Sequence, residues 1–337
     1  MQPTNSVLVF LEQRDGAIAD VSRELLGKAG DLARELGVSV EGVLVGHGLE
    51  EDPADLGRYG CHRVYRVEDR RLADFTSLPY GRAVQEVIQG CDPQIVLFGA
   101  TTTGRDVAPR VASSLRCGLT ADCTELSIGE FKGKDRTWFN TLNQIRPAWG
   151  GNIIATIVSP ESRPSMATVR EGVMPMPGAG SSAKAEVVDV PLDFPPEDFS
   201  TQVLELHRKE KEVDLRKAGI IVAAGMGASD ARSLQLVKDL ARVLNGEYAG
   251  SRPMIDGGFL PHERQVGQTG TTVRPNLYIA CGISGQVQHL AGMQESKRIL
   301  AVNSDPEAPI FDIAQYAIVG EVADVLPKMI KAYQAQS

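Results

Sequence analysis

A glycine-rich turn between an apolar strand and a helical segment is the strongest indication of chemistry in this sequence. The turn Gly282-Ile283-Ser284-Gly285 follows the apolar run 277–281 and precedes a predicted helix at 286–293. Such a turn directs unpaired backbone N–H groups and the positive end of a helix dipole at one point, which suits a diphosphate. A tight turn with Ser284 as N-cap explains the same residues without a ligand. The spacing differs from G-x-G-x-x-G, so the dinucleotide motif does not apply directly.

Three further polar segments stand where strands are expected to end. The Gly-bounded loop 266–272 suits the edge of a flat heterocycle, or is a plain surface loop. Arg252 follows Gly250 and Ser251 and suits a phosphate or a negatively charged ring, or is a surface arginine. Asn303 suits a ribose or adenine edge, or belongs with Asp305 to a turn. Ligands of open α/β sheets gather at the carboxyl ends of strands, which favours a shared site.

The elements that must position these residues alternate between strands and helices. In the N-terminal half we predict strands at 6–11, 38–45, 63–67 and 94–99 and helices at 20–36 and 82–89, followed by β-rich segments at 120–126, 137–145, 152–158 and 166–169. In the C-terminal part we predict strands at 218–224, 276–281, 298–302 and 317–319 and helices at 230–244, 286–293 and 322–333. This order is typical of parallel sheets with helices on both faces.

The chain is therefore predicted to be an α/β protein of two domains. Residues 1–205 form an N-terminal nucleotide-binding-like domain with a parallel sheet, and residues 206–337 form a Rossmann-like C-terminal domain. The breaker-rich stretch 174–182 and the prolines that follow it, up to Pro196, predict a connection between the domains. The length of 337 residues fits two domains with separate cores.

Composition excludes several classes of function. A formal net charge of -8 disfavours nucleic acid or an anionic membrane as the main partner. The polar start and the short apolar run 7–11 predict no signal peptide, and no apolar run approaches the ~20 residues of a membrane helix, so we expect a cytoplasmic protein without stable membrane insertion. Five cysteines without a C-x-x-C pair predict buried thiols rather than a disulfide framework or a metal site.

The C-terminal motifs taken together resemble the alpha subunits of electron transfer flavoproteins. The resemblance is carried by Ser251-Arg252, by Val266-Gly267-Gln268-Thr269-Gly270, by Gly282-Ile283-Ser284-Gly285-x-x-Gln288-His289-Leu290-Ala291-Gly292-Met293, and by Asn303-x-Asp305-Pro306-x-Ala308-Pro309-Ile310-Phe311. It covers roughly the last third of the chain, and this ordered set is far more specific than any single motif. In the N-terminal half, Gly104-Arg105-Asp106-x-Ala108-Pro109-Arg110 is similar to the same family.

The resemblance implies an FAD bound in an extended pose in the C-terminal domain. The residues implied at the diphosphate and the flavin ring are Ser284, Gly285, Gln286, Val287, Gln288 and His289. It places Arg252 against the ring, Ser251 at a phosphate, and Asn303 and Glu321 at the adenosine half. The residues implied at the ring edge are Val266, Gly267, Gln268 and Thr269. A positive or donating group such as His289 near the pyrimidine edge stabilises a reduced flavin. No catalytic residue and no metal ligand are implied, because the flavin carries the electrons and the protein tunes it.

Two departures from the family pattern concern individual contacts. Family members usually carry arginine where this chain has Met226, between Gly225 and Gly227, so a phosphate-neutralising charge is absent there. The acidic adenosine contact is Glu321, where aspartate is common in the family.

Three functional hypotheses follow from the resemblance. The first is a carrier subunit that forms a heterodimer with a beta subunit through its N-terminal domain and exchanges electrons with a flavin-containing dehydrogenase such as an acyl-CoA dehydrogenase. The alternative is a subunit of an NADH-oxidising, electron-bifurcating complex, which the segments 146–153 and 163–170 resemble. The third, motivated by Met226, is a binding module whose flavin site has decayed.

Overall fold

The computed structural model describes residues 1–14, 16–148, 153–178, 182–206 and 213–335. The described residues up to 206 form one compact unit, and residues 213–335 belong to a second. Within the described ranges, no helix combines the length and the apolar composition that a membrane span requires.

The first unit contains twelve strands and three helices among its described residues. The strands are β1 (Val7–Leu11), β2 (Gln13–Arg14), β3 (Ala17–Ile18), β4 (Val40–Gly46), β5 (Arg63–Glu68), β6 (Ile95–Gly99), β7 (Leu119–Cys123), β8 (Glu125–Lys132), β9 (Thr137–Ala148), β10 (Ile153–Ile157), β11 (Ser165–Val169) and β12 (Glu186–Asp189). The helices are α1 (Asp20–Leu36), α2 (Ser77–Cys91) and α3 (Thr102–Leu115).

Seven of these strands form a wholly parallel sheet in the order β12-β5-β4-β1-β6-β11-β7. Successive side chains of a strand point to opposite faces. Accordingly, Val7 and Val9 of β1 pack with the core on the α1 side, whereas Leu8 and Phe10 pack with α2 and α3. The predicted parallel sheet with helices on both faces is confirmed.

Helix α1 shows how the sequence determines a local element. Its apolar side chains recur with the helical period, so that Val21, Leu25 and Leu32 are buried on one face. Gly37 ends the helix in the left-handed conformation, with φ 69°, where its N–H bonds the Ala33 carbonyl. The structure confirms the predicted limits of this helix.

The predicted β-rich segments are divided between the parallel sheet and a separate antiparallel sheet. Strands β8, β9 and β10 pair in the order β10-β9-β8, while β7 and β11 join the parallel sheet. The predicted strand 120–126 is two strands, β7 and β8, separated at Thr124. Residues 149–152 of the segment 146–153 lie outside the described residues.

The prediction that residues 174–196 connect the domains is wrong for much of this stretch. Strand β12 pairs in parallel with β5 at the edge of the large sheet. Val190 and Phe194 are buried with the core on the α2 and α3 side. The pairing and the burial place this segment in the first unit. Prolines near a short strand are tolerated here because the strand lies at the edge of the sheet. Residues 179–181 lie outside the described residues.

The second unit is built on one parallel sheet of five strands. The strands are β13 (Ile220–Ala224), β14 (Glu247–Gly250), β15 (Leu277–Cys281), β16 (Ile299–Asn303) and β17 (Tyr316–Val319), in the order β14-β13-β15-β16-β17. The helices are α4 (Ala231–Val243), α5 (Arg252–Asp256), α6 (Val287–Leu290) and α7 (Val322–Gln334).

The two faces of this second sheet are covered differently. Helices α4 and α7 pack on one face through Val237, Leu240 and Leu326. The other face is covered mainly by loop residues, among them Val266 and Ile283. The loops that carry the sequence motifs therefore lie against this face of the sheet.

Candidate functional site

The second sheet has a topological switch point between β13 and β15. After β13 the chain adds β14 on one side, and it then returns to add β15 on the other. In such sheets the carboxyl ends of the two strands at the switch point open a crevice for a ligand. Gly225 follows β13 at this edge and Gly282 follows β15, so the predicted glycine-rich turn stands at the crevice.

Glycines at this crevice allow two backbone segments to approach closely. The Gly227 N–H donates to the Gly282 carbonyl at 3.1 Å. A Cβ placed on Gly225 would lie 2.2 Å from the Gly282 oxygen, so Gly225 accepts no side chain without a shift of backbone. Gly282 itself has φ +64°, where glycine is favoured.

A cavity of about 400 Å³ lies beside this turn and brings most of the predicted residues together. Ten of the fourteen predicted binding residues line it: Ser251, Arg252, Val266, Gly267, Gln268, Thr269, Ser284, Gln286, Gln288 and His289. The remaining lining residues are Gly225, Met226, Pro253, Gln265, Gly282 and Ile283. Apolar and polar groups thus meet in one concave site, as small-molecule sites require.

The turn offers hydrogen-bond donors to a ligand. The backbone N–H groups of Ile283, Ser284 and Gly285 donate to no other residue in the described part of the chain. The turn is held from behind, because the Ile310 N–H donates to the Ser284 carbonyl at 3.0 Å and Asn303 Nδ2 donates to the Ile283 carbonyl at 2.9 Å. Free N–H groups on a supported turn suit phosphate oxygens.

The predicted helix 286–293 is wrong in length. Only residues 287–290 are helical, and the chain then continues in turns, with the Gly292 N–H on the His289 carbonyl. Glycine at position 292 lowers helix propensity, and its Cβ would lie 2.5 Å from the Gly267 backbone. A helix of one turn sums few peptide dipoles, so the N–H groups of the turn, rather than a macrodipole, provide the positive potential.

The loop 265–272 is tied to both neighbouring elements. The Val266 N–H donates to the Gly250 carbonyl at the end of β14, and the Gln268 N–H donates to the Gln288 carbonyl at 2.7 Å. Gln265 Nε2 donates to Thr269 Oγ1 at 3.0 Å. These bonds hold the second sequence motif against the first.

His289 is buried at the cavity and is neutral. Its side chain is 7% exposed, and Nε2 lies 3.0 Å from the Tyr278 hydroxyl. Burial lowers the pKa of His289 to about 4, an effect that the backbone of Val266 partly offsets. Of the two roles that the resemblance allowed at this position, a positive group is not supported, because the imidazole carries no charge near pH 7.

Arg252 carries the only permanent charge on the lining of this cavity. It begins α5, and its Nε lies 3.2 Å from Asp256 Oδ2 one turn later. Both side chains are 65% exposed, so each is well solvated. The guanidinium therefore retains hydrogen-bonding capacity for an anionic or electron-rich ligand.

Four predicted residues lie outside the cavity lining. Gly285 belongs to the turn and Val287 begins α6, while Asn303 uses its amide within the protein, donating to Ile283 and accepting from the Asp305 N–H at 3.0 Å. Glu321 is exposed before α7, beyond the carboxyl end of β17. The adenosine roles of Asn303 and Glu321 stay predictions.

Sequence reasoning did not assign several lining residues to the site. Pro253, Gln265 and Ile283 adjoin the predicted motifs, and this proximity was the available signal. Gly225 and Met226 were noted only as a departure from the family pattern, although a Gly-x-Gly turn directly after a buried strand is itself typical of a ligand site.

The corresponding edge of the first unit carries a buried acidic residue, Glu12. Its switch point lies between β1 and β6. Glu12, which follows β1 and is 2% exposed, accepts from Arg14 Nε at 3.0 Å and from the Thr101 hydroxyl. Glu12 thus uses its acceptors within the protein, whereas the turn of the second unit keeps its N–H donors for a phosphate. The second unit therefore holds the better site.

The fold and the site define a two-unit α/β protein with a dinucleotide-type site in its second unit. The family model for the electron transfer flavoprotein domain matches residues 7–195. The model for the electron transfer flavoprotein FAD-binding domain matches residues 214–294, which include the turn, the loop and the cavity residues.

Full-length relatives agree with these matches. The electron transfer flavoprotein subunit alpha of Thermoanaerobacterium thermosaccharolyticum is 43% identical over 332 residues, with 98% of each chain covered. Protein FixB of Rhizobium meliloti is 40% identical, covering 98% of this chain and 94% of its own. The acryloyl-CoA reductase electron transfer subunit beta of Anaerotignum propionicum is 40% identical, covering 97% and 95%.

The chain belongs to the family of electron transfer flavoprotein alpha subunits. It is an electron-transfer subunit, and FAD is its cofactor. The residues present fit this group, because the turn offers unpaired N–H donors to a diphosphate and the neighbouring cavity has room and apolar walls for a ring. A decayed flavin site is therefore not supported, despite Met226.

Proposed function

We propose that this chain forms a cytoplasmic heterodimer with a beta subunit and carries electrons on its FAD between a donor and a flavin-containing dehydrogenase, such as an acyl-CoA dehydrogenase. The observation that carries the proposal is the convergence of the motif residues on the cavity at the switch point of the second sheet. The flavin supplies the redox chemistry, and the residues of the chain bind it and set its electrostatic surroundings.

We further propose that FAD extends along the carboxyl edge of the second sheet. Its flavin ring lies in the cavity, and its diphosphate lies at the turn with Ser284 and Gly285. The adenosine half continues toward Asn303, which ends β16, and Glu321, which follows β17. From β14 to β17 there are four inter-strand steps of about 4.8 Å, roughly 19 Å in all, which favours an extended rather than a folded cofactor.

Arg252 and His289 have different roles in this proposal. Arg252 is the solvated cation that stabilises negative charge on the reduced ring. His289 contributes an uncharged, buried imidazole at the cavity wall. Thr269 and Gln268, on the tied loop, place hydroxyl and amide groups at the ring edge.

The antiparallel sheet of the first unit is the surface that we propose for the beta subunit. Ile154 of β10 is 72% exposed, Ile153 is 55% exposed and Phe139 of β9 is 70% exposed. Ile153 and Ile154 point to opposite faces of β10, so this small sheet exposes apolar side chains on both faces, which favours a protein interface. Ile154→Asp is expected to weaken the heterodimer at least tenfold. Leu78→Asp, on α2 and 45% exposed, is the matched control and is expected to leave the heterodimer unchanged.

The flavin content of the co-expressed heterodimer tests the proposed function. FAD released by denaturation is measured against protein, for the wild-type chain and for a Gly285→Ala variant. We expect one FAD that depends on the alpha chain, so that the variant loses it. A heterodimer that contains no flavin and takes none up would refute the proposal.

The same preparation distinguishes the carrier from an NADH-oxidising complex. Under anaerobic conditions, NADH is added and the flavin absorbance is followed. A carrier fed by dehydrogenases shows no reduction, whereas reduction by NADH together with a second FAD in the beta subunit establishes the bifurcating alternative.

A further inference from the structure

A buried tyrosine behind the cavity contacts the one histidine on its lining. Tyr278 lies on the central strand β15 with 0% of its side chain exposed. Its hydroxyl is 3.0 Å from Nε2 of His289. Burial raises the pKa of Tyr278 well above its usual value, so the phenol keeps its proton. The contact is therefore a hydrogen bond between two neutral groups.

The second nitrogen of this histidine decides the direction of that bond. Nδ1 of His289 is inaccessible to solvent and makes no hydrogen bond of normal geometry within the described residues. The backbone of Val266 next to the ring favours the protonated imidazole, as a carbonyl oxygen facing an N–H does and a backbone N–H does not. Because Nε2 already faces the Tyr278 hydroxyl at 3.0 Å, this backbone contact favours a proton on Nδ1.

The two possible proton arrangements leave different numbers of buried groups without a hydrogen-bond partner. If Tyr278 donates to Nε2, the phenol proton has an acceptor, and only the group at Nδ1 lacks a partner of normal geometry within the described residues. If Nε2 donates to Tyr278 instead, the phenol proton has no acceptor among the described residues, and the Nδ1 lone pair has no donor. One more buried group without a partner costs about 1–3 kcal/mol, which favours the first arrangement about fivefold or more.

We propose that Tyr278 is a positioning residue that donates to Nε2 and holds His289 as the neutral tautomer with its proton on Nδ1. The imidazole then links the central strand to the loop that begins at Val266. The same loop is bonded to the residue before the histidine, through the Gln268 N–H on the Gln288 carbonyl. Tyr278 therefore orients both the histidine and the loop at the flavin ring, and this last step rests on the proposed function.

Histidine nitrogen NMR measures the tautomer directly. The chain, labelled with ¹⁵N-histidine and purified with its beta subunit and FAD, is recorded in a long-range ¹H–¹⁵N correlation experiment at pH 7. A His289→Gln spectrum identifies the His289 signals. We expect a protonated Nδ1 and an unprotonated Nε2 in the wild type, and at least a fivefold rise in the ratio of the Nε2–H form to the Nδ1–H form in Tyr278→Phe.

Two results would overturn the inference. One is a wild-type spectrum with the proton on Nε2. The other is a Tyr278→Phe spectrum identical to the wild type, as expected if the ring acted by packing alone. The wild-type spectrum decides the matter even if the variant does not fold. Recording the wild-type spectrum with and without FAD separates this inference from the proposed function. The tautomer is a property of the chain, whereas a failure to bind FAD would refute only the proposed function.

Discussion

Replacing Arg252 by glutamine is expected to lower the one-electron reduction potential of the bound FAD by about 40 mV. Arg252 carries the only permanent charge on the cavity lining, since the pKa of His289 is about 4. A unit charge about 4 Å away contributes between ~1 kcal/mol in water and ~4 kcal/mol near a protein surface. Because the side chain is 65% exposed, the lower figure applies, and ~1 kcal/mol corresponds to about 40 mV for one electron.

The partner carboxylate provides a test of opposite sign. Asp256 Oδ2 lies 3.2 Å from Arg252 Nε, so Asp256→Asn removes negative charge near the cavity and is expected to raise the reduction potential of the FAD. The expected shift is about half that of Arg252→Gln, because the carboxylate is farther from the cavity than the guanidinium. Arg252→Lys keeps the charge and is the matched control.

The assay is an anaerobic spectroelectrochemical titration of the heterodimer at low and at high salt. The shifts are expected to shrink at high ionic strength, because both groups are solvated. An unchanged potential in Arg252→Gln, or a shift of the same sign in Asp256→Asn, would refute the electrostatic role.

Three further predictions concern the buried histidine, the turn and the departure from the family. Since the pKa of His289 falls from 6.5 to about 4 on folding, the unfolded chain binds a proton that the folded chain does not, so the free energy of unfolding drops by roughly 3 kcal/mol as the pH falls through this window. Denaturant titrations at pH 7 and 4.5 should show a smaller loss of unfolding free energy in His289→Gln than in the exposed control His262→Gln. An equal loss in the two variants would contradict the assignment. Gly285→Ala should abolish FAD retention and destabilise the chain by more than about 2 kcal/mol, because φ is +91° and the Cβ would lie 2.3 Å from a backbone nitrogen. Gly258→Ala, with φ +72° in open space, should cost about 1 kcal/mol and retain FAD, and similar losses in both variants would argue against a special role of the turn. Met226→Arg should tighten FAD binding about threefold to fivefold at low salt, measured by fluorescence titration, whereas Met226→Gln should not; equal affinities would show that this position does not contact a phosphate.

Elements with strong local periodicity were predictable from the sequence. Helix α1 was predicted with its observed limits, because its buried stripe and Gly37 are local features. Strand β12 was missed because four residues between prolines carry almost no local pattern, and their pairing with β5 is a long-range contact. The helix after the glycine turn was overestimated because apolar spacing continues through Leu290 to Met293, although Gly292 and its contact with Gly267 end it.

The candidate site was predictable in its residues but not in its electrostatics. Each motif alone was compatible with a surface turn, and their convergence follows from the strand order, which depends on contacts distant in sequence. The neutral state of His289 follows from its burial, which the sequence does not reveal. Charge states at a buried site therefore need the tertiary structure.

A crystal structure of the heterodimer with bound FAD locates the cofactor on this chain. We expect the flavin ring in the cavity beside Arg252 and His289, the diphosphate on the N–H groups of residues 283–285, and the adenosine toward Asn303. An FAD bound elsewhere on this chain, with the cavity filled by side chains or solvent, would contradict this expectation.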